Sequence, residues 1–272
     1  MIEVEWARLK AHEIRGRVAA GAAVILPLGA TEQHGPHLPV MTDCRIGHEI
    51  AVRAARRAAE AGRDTLVAPV VWSGLSEHHM VFGGTFTISP ATFQALVADL
   101  VEGLVRLGVR DVLLSNSHGG NVRAMQTAAE GLAARLPVTV VATTYAAEAG
   151  EAINALLEDQ ASLMHAEEAE TSMMLALEPD LVDASDLASL ADGAGSGALE
   201  AGRASFRWRP FQHVTGNGIR GNPARATAEK GERVLEVSVE AIAALLLDKE
   251  TWAPAVDRRG SGTGGVPFAP ST

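Results

Sequence analysis

The sequence has little of what a secreted, membrane-spanning or nucleic-acid-binding protein needs. Its one cysteine, Cys44, cannot form an internal disulfide, which predicts a reducing compartment. It has no run of about 18 apolar residues, and the N-terminal MIEVEWARLK is charged, so we expect neither a membrane span nor a signal peptide. The net charge of −10 argues against a nucleic-acid partner. These absences predict a cytoplasmic protein without membrane or nucleic-acid partners.

Several common catalytic signatures are also missing. The chain has no G-x-G-x-x-G after a predicted strand, no G-x-x-x-x-G-K-[ST] and no G-x-S-x-G. Its three lysines, Lys10, Lys230 and Lys249, lie outside the four segments of ligand-type side chains described below, 31–43, 74–90, 115–121 and 164–172, which weakens the case for a lysine base. Cys44 lacks a catalytic context, and we interpret it as a packing residue at a helix start.

What the chain does have is an alternation of buried strands and amphipathic helices. Its 272 residues, 47% of them hydrophobic, suffice for one large core. This alternation predicts an α/β fold, a single-domain, mostly parallel sheet sandwiched by helices. Four strands are predicted, over 23–28, 65–72, 111–115 and 138–144, with helices over about 44–61, 90–107 and 226–249 and another after Asn121.

Two stretches stand outside this pattern. The segment 184–221 is rich in Gly, Ser and Ala, and we interpret it as a long surface loop. The end of the chain is rich in Gly, Pro and Ser, which is typical of a flexible tail. We therefore predict one domain over 1–256 and a tail over 257–272.

The segment TEQHGPHLPVMTD, residues 31 to 43, directly follows the first predicted strand. Its Gly and Pro residues prevent regular structure between Glu32, His34 and Asp43. Imidazole and carboxylate groups are the usual ligands of zinc, manganese and ferrous iron. Asp43 alone is better explained as the N-cap of the next helix, but the three residues together favour a metal site.

Two further segments point to the same edge of the sheet. In SNSHGGN, residues 115 to 121, His118 follows the third strand, while Gly119 and Gly120 leave backbone N–H groups open to a ligand oxygen. The amide of Asn121 would cap the following helix or hold a substrate. A buried histidine in an ordinary strand–helix corner is the alternative for His118.

The segment MHAEEAETS, residues 164 to 172, offers a histidine and several glutamates. If the helix includes His165, Glu168 shares its face; if the helix begins after His165, Glu170 points into the site. Periodicity leaves both arrangements open, and an acidic helix start favoured by the macrodipole is a third. A fourth segment, residues 74 to 90, places Ser76, Glu77, His78 and His79 after the second strand, as a substrate-pocket lining or an ordinary polar loop.

Together these segments resemble the creatininase (creatinine amidohydrolase) family. The resemblance rests on LPLGATEQHGPHLPVMTD, SNSHGGN, HAEEAETSMMLALEPDLV and GIRGNPARATAEKG, which occur in family order. It implies a homohexamer, built as a trimer of dimers, with two divalent metal ions per site, zinc first and manganese or iron as alternatives. The metal ligands that it implies are Glu32, His34, Asp43 (bridging), His118 and Glu170. It also implies that His165 lies beside the substrate. In the mechanism that we expect, His165, or Glu168 as the alternative, donates a proton to the leaving nitrogen. From their positions after the second and third strands, we expect His78, Gly119, Gly120 and Asn121 to contact the substrate.

The resemblance is incomplete around the substrate. Creatininase has a tyrosine and a glutamate ligand where this chain has Gly119 and Gly120, and a tryptophan at the position of Ala161. The resemblance therefore implies a small-molecule amidohydrolase other than a creatinine-specific one. Its metal-bound hydroxide would attack a C–N amide bond of a cyclic amide or formamide. The alternatives are a hydrolase of a cyclic sugar derivative or a short peptide, a metal-dependent lyase or isomerase, and a binding module without turnover.

Overall fold

Four parallel strands form the sheet at the centre of the fold. The structure is a computed structural model, and it describes residues 2–192 and 207–259. The strands are β1 (Ala23–Leu28), β2 (Thr65–Val67), β3 (Asp111–Asn116) and β4 (Thr139–Thr144), and their order across the sheet is β2-β1-β3-β4. The predicted α/β class with a parallel sheet is confirmed.

Helices connect the strands and cover both faces of the sheet. The α-helices are α1 (Ala11–Ala19), α2 (Thr42–Glu60), α3 (Pro90–Leu107), α4 (Val122–Ala133), α5 (Tyr145–Glu148), α6 (Gly150–Asn154), α7 (Glu168–Leu177) and α8 (Ala228–Leu247). Short 3-10 segments in the described residues span Trp6–Arg8, Glu77–Phe82, Gly119–Asn121, Pro179–Leu181, Leu187–Ser189 and Phe211–His213. The start and end of α3 follow from its sequence, because the Ser89 hydroxyl accepts a hydrogen bond from Thr92 N–H, and Gly108 ends the helix in the left-handed conformation.

The core lies in two layers, one on each side of the sheet. Val24, Leu26 and Leu28 of β1 pack against α1, α3 and α4, whereas Ile25 packs on the side of α2, α7 and α8. Side chains alternate between faces along a strand, so a central parallel strand must be apolar throughout. All six residues of β1 are accordingly buried.

The strand order creates a crevice at the carboxyl edge of the sheet. The chain leaves β1 for β2 on one side and later returns to β3 on the other, so the connections after β1 and β3 diverge. Ligands of open parallel sheets bind at such a switch point. The segments that begin at Gly29 and at Ser117 therefore face the same crevice.

The structure differs from the sequence-based expectations in three places. Strand β2 ends at Val67, five residues before the predicted end, and helix α1 was not predicted. Residues 211–221 are largely irregular, as a loop predicts, but they do not lie wholly on the surface: Phe211 and Ile219 are buried, whereas Gln212 and His213 are exposed. Part of that segment, 193–206, and the predicted tail from residue 260 onward lie outside the described residues.

Among the residues that the structure describes, no helix combines the length and the apolar character needed to cross a bilayer.

Candidate metal centre

The irregular segment after β1 places two ligand-type side chains in the crevice. Glu32 and His34 are 1% and 0% exposed, and the backbone turns back on itself between His34 and Leu38. Gly35 makes this turn at a φ of 66°, and a side chain at this position would collide with Ile219. The turn directs the His34 ring towards Asp43, with 3.3 Å between Nε2 and Oδ1.

Asp43 lies in the first turn of α2 and does not cap it. The helix begins at Thr42, and its capping position, Met41, makes no side-chain capping bond. The Asp43 carboxylate instead lies between two histidines, with Oδ1 3.3 Å from His34 Nε2 and Oδ2 3.2 Å from His118 Nδ1. The N-cap alternative therefore does not describe Asp43.

His118 enters the cluster from the end of β3. Its Nδ1 lies 3.2 Å from Glu32 Oε1, and its Nε2 lies 3.2 Å from the Leu75 carbonyl oxygen and 3.3 Å from Ser76 Oγ. The segment after β2 thus supports the far side of the ring. Gly120 makes this close packing feasible, because a Cβ there would lie 2.4 Å from His118 Nε2.

The start of α7 decides which glutamate reaches the cluster. The helix begins at Glu168, so His165 precedes it, and the second of the two arrangements left open by periodicity is the one observed. Glu170 Oε2 lies 3.7 Å from His34 Nε2 and accepts a hydrogen bond from Ala166 N–H at 2.5 Å. Ala166 adopts a φ of 52°, which is unfavourable for a residue with a side chain and is typical of functional sites.

Glu168 points away from this cluster. Its carboxylate accepts hydrogen bonds from the ammonium group of Lys230 and from the backbone N–H groups of Glu158 and Asp159. The side chain is fully buried, and Lys230 lies on α8. The pair joins α7 to α8, and removal of one partner would leave a buried charge uncompensated.

Three groups of side chains in this cluster could each hold a metal ion. In each group the ligand atoms lie within 4.8 Å of one another, and all of the side chains are buried. The groups are Glu32, His34 and His165; Glu32, Asp43 and His118; and His34, Asp43 and Glu170. Glu32, His34 and Asp43 each belong to two of these groups, and the two oxygens of Asp43 face different histidines, Oδ1 facing His34 and Oδ2 facing His118.

The donor set fits divalent metal ions. Three atoms, Glu32 Oε2, His34 Nε2 and Asp43 Oδ2, are buried and make no hydrogen bond within the described residues. Buried polar atoms normally have partners, because their desolvation is otherwise uncompensated. The cluster also contains three buried carboxylates, those of Glu32, Asp43 and Glu170, and these require a nearby positive charge. Two divalent ions would satisfy both needs.

In the protein without metal, protons on the ligand side chains take the place of the metal ions. Burial disfavours the charged form of His34, but the carboxylate of Asp43 outweighs it and raises the pKa of His34 to about 10. Burial likewise opposes the charge of His118, yet Glu32 and Asp43 raise its pKa well above the usual range. Burial also raises the pKa of Glu170 to about 7. Protons therefore stabilise the carboxylates when no metal is bound.

Metal binding is therefore expected to release protons, and its apparent affinity should rise with pH. Each protonated histidine must lose its proton before it can bind an ion, so affinity should increase roughly tenfold per pH unit for each proton released. The increase should continue up to the pKa of about 10 of His34. Calorimetric titration with zinc in two buffers of different ionisation enthalpy measures the proton count. Identical heats in both buffers at pH 7 would contradict this account.

The predicted substrate contacts surround the cluster in different ways. The His78 ring stacks on His118, with 5.8 Å between centroids, and is half-buried. Gly119 is exposed, with open space where a side chain would be. Asn121 is fully buried and joins three loops: its amide donates to Gly29 O and Asn116 Oδ1, and its oxygen accepts from Leu75 N–H. Asn121 does not cap the following helix by its side chain.

Sequence reasoning missed two residues of the site. Gln33 is buried between the predicted ligands Glu32 and His34, and its amide lies 2.7 Å from His79 Nδ1. Its position within the segment 31–43 was the available signal. Phe211 packs on His79 at 4.4 Å and on His165 at 5.1 Å between ring centroids, and no local pattern in the sequence indicates this contact.

The chain is similar to known proteins over most of its length. Residues 7–246 match the family described as "Creatininase: Creatinine amidohydrolase". A mycofactocin precursor peptide peptidase of Mycolicibacterium smegmatis is 32% identical over 246 residues, covering 87% of each chain. A creatinine amidohydrolase of Pseudomonas putida is 31% identical over 255 residues, covering 85% of this chain and 91% of the relative.

Solved structures show the same fold. One described as "Creatininase Mn" superimposes with a TM-score of 0.74 at 28% identity, covering 93% of this chain and all of the other. A creatininase variant described as of Zn-Zn type superimposes with a TM-score of 0.73, also at 28% identity, with the same coverage. The resemblance drawn from the sequence motifs is confirmed.

Proposed function

Because this chain belongs to the creatininase family and is a hydrolase of that family, we propose that it hydrolyses a C–N amide bond with the aid of two divalent metal ions. The observation that carries the proposal is the position of Asp43 in two buried ligand groups at once. One ion would be held by Glu32, Asp43 and His118, the other by His34, Asp43 and Glu170. Such ions polarise the carbonyl group of a substrate and acidify a water molecule.

His165 is the proton-transfer residue in this proposal. Its Nε2–H donates to the Gln33 carbonyl oxygen at 3.0 Å, which leaves Nδ1 facing the cluster, 3.8 Å from Glu32 Oε1. Burial lowers the pKa of His165 well below its usual range, so the resting ring is neutral. A neutral Nδ1 can accept a proton as water attacks and pass it to the leaving nitrogen. Glu168, the alternative proton donor, is paired with Lys230, and in this proposal it supports the joining of α7 to α8 instead of transferring a proton.

The surroundings of the cluster bear on the substrate. Gly119 and Gly120 leave the region beside His118 free of the side chains that the resemblance to creatininase would supply. A relative 32% identical to this chain is named a peptide peptidase, and another, 31% identical, a creatinine amidohydrolase. We therefore propose an amide substrate, with cyclic amides and formamides as one class and short peptides as the second.

Metal identity and assembly are part of the same proposal. Imidazole and carboxylate ligands suit zinc, manganese and ferrous iron, and two solved relatives are described as a manganese creatininase and a creatininase of Zn-Zn type. Zinc is the first expectation. The homohexamer and the cytoplasmic location stay predictions.

A substrate panel tests the proposed reaction. Protein loaded with zinc, manganese or iron is incubated with cyclic ureas, lactams, formamides and short peptides. We expect at least one class to gain a water molecule by mass spectrometry, with a new amine released or exposed by ring opening. Metal-free protein should be inactive and should recover activity on reloading, because the ions supply the polarisation.

The same panel separates the rival functions. Product of unchanged mass, or cleavage without addition of water, would indicate an isomerase or lyase and overturn the hydrolase proposal. Metal binding without turnover of any amide, under all three metals, would favour a binding module. Hydrolysis confined to peptides, or to cyclic amides and formamides, decides between the two substrate classes.

A further inference from the structure

A buried chain of polar contacts lies behind Glu32, a proposed metal ligand. His79 Nε2 lies 3.3 Å from Glu32 Oε1, and His79 Nδ1 lies 2.7 Å from the amide nitrogen of Gln33. His79 and Gln33 are 2% and 7% exposed. Neither residue belongs to the three groups that could hold an ion, so the chain supports the cluster from outside.

The orientation of the Gln33 amide follows from its neighbours. Its Oε1 accepts a hydrogen bond from Gly35 N–H at 2.9 Å, so this atom is the oxygen. Its nitrogen lies 3.0 Å from the Gly218 carbonyl oxygen, which accepts one of the two N–H groups. Gly218 also touches the amide closely, since a Cβ at this position would lie 2.0 Å from Gln33 Oε1. The amide is therefore held in one orientation.

This orientation determines which nitrogen of His79 carries the proton. The second N–H of Gln33 has two candidate acceptors, His79 Nδ1 at 2.7 Å and His165 Nε2 at 3.1 Å. The His165 nitrogen is itself a donor to the Gln33 carbonyl oxygen, at 3.0 Å, so it cannot accept. His79 Nδ1 is then the acceptor, and the proton of the neutral ring is on Nε2, facing Glu32.

We propose that Gln33 and His79 are positioning residues: Gln33 sets the tautomer of His79, and His79 Nε2–H orients the Glu32 carboxylate towards the ion that it shares with Asp43 and His118. Hydrogen bonds of this kind keep a carboxylate in its binding rotamer, and their loss typically weakens metal binding about 10- to 100-fold. The inference rests on the proposed function in one respect only, that the cluster binds divalent ions.

Two substitutions of His79 separate the parts of this chain. Asparagine in H79N retains an acceptor near Gln33 but is too short to reach Glu32, whereas the longer glutamine in H79Q brings an N–H group to the position of Nε2. Calorimetric titration of metal-free protein with zinc is the readout. We expect H79N to bind one of the two ions about 10- to 100-fold more weakly, and H79Q to regain most of this loss.

The second ion provides an internal control. Its proposed ligands, His34, Asp43 and Glu170, do not include Glu32, so its affinity should change little in H79N. Substitution of the exposed His12 by asparagine controls for loss of an imidazole elsewhere. If H79N binds both ions as tightly as the wild type, the positioning role is wrong.

A spectroscopic test does not depend on metal affinity and covers the case in which H79N fails to fold. Long-range nitrogen–proton NMR spectra of the zinc-loaded wild type should show the His79 proton on Nε2. In the isosteric variant Q33E the carboxylate can only accept, so the proton should move to Nδ1. A proton on Nδ1 in the wild type, or an unchanged tautomer in Q33E, would overturn the inference.

The two proposals fail in different ways. If the wild type binds no divalent ion, the proposed function and the positioning role that rests on it both fail. If it binds two ions and hydrolyses an amide, yet H79N and Q33E leave zinc affinity and the His79 tautomer unchanged, only the positioning role fails.

Discussion

Replacement of Asp43 by asparagine is expected to remove both metal ions and to lower kcat/KM roughly a thousandfold. The carboxylate has one oxygen near each of two histidines, with Oδ1 3.3 Å from His34 Nε2 and Oδ2 3.2 Å from His118 Nδ1. An amide has the same shape but no charge, and it presents a single oxygen. Loss of metal polarisation costs several kcal/mol, and each 1.4 kcal/mol corresponds to about a factor of ten in rate.

The measurement is metal content by elemental analysis together with kcat/KM on the substrate that the panel identifies. Asp99 is exposed on α3 and belongs to none of the three ligand groups, so Asp99→Asn is a matched control that should retain both ions. Full metal content and full activity in Asp43→Asn would refute the two-metal proposal. Loss of one ion with the other retained would refute the bridging role of Asp43.

Replacement of Gly120 by alanine should disrupt the cluster although it adds a single methyl group. The new Cβ would lie 2.2 Å from the Leu75 carbonyl oxygen and 2.4 Å from His118 Nε2. Such distances are far below van der Waals contact, so the histidine or the segment after β2 must move. His118 would then lose its alignment with Glu32 and Asp43. A displacement of about 1 Å at an active site can cost about a hundredfold in rate.

The neighbouring glycine provides the control for this prediction. A Cβ at Gly119 meets no atom within 4 Å, so Gly119→Ala should keep the metal content of the wild type. Metal content and thermal melting of both variants, measured side by side, make the comparison. Two bound ions in Gly120→Ala, at wild-type affinity, would show that the site tolerates the shift and would contradict the prediction.

The same close contact bears on the proposed ligand set. The resemblance to that enzyme implies a glutamate ligand at the position of Gly120, where this structure has no room for any side chain. Glu170, from a different element, brings its carboxylate 3.7 Å from His34 instead. A carboxylate can therefore reach the cluster from α7, whereas position 120 has no room for one.

The sequence was sufficient to predict the fold class, because the spacing of hydrophobic residues and the local composition are properties of short segments. The apolar run at 23–28 predicts a buried central strand, and the cap and the terminal glycine of the helix over 90–107 have their own signatures. The sequence overestimates the length of strand β2. Residues 68–72 are apolar, but the one strand bridge that they form joins Val71 to Leu28. Pairing depends on a partner strand, which no local pattern reports.

By itself, the sequence determined that ligand-type side chains follow β1 and β3, and parallel strands bring such residues to one edge of the sheet. It left open whether Glu168 or Glu170 faces this edge, and whether Asp43 caps a helix, because each answer depends on where a helix begins. Only the tertiary structure decided these points, by starting α7 after His165 and by pairing Glu168 with Lys230 of α8.

The segment 31–43, which indicates a metal site from sequence, shows the same contrast between what the sequence determines and what the tertiary structure decides. Its sequence determined the chemical types of Glu32, His34 and Asp43. The contacts of Gln33 with Gly218 and His79 join residues far apart in the chain, and they exist only once the loops meet over the sheet. The types of the ligand side chains are thus local, whereas contacts such as those of Gln33 come from distant segments, because an irregular loop has no repeating backbone hydrogen bonds to fix its side chains.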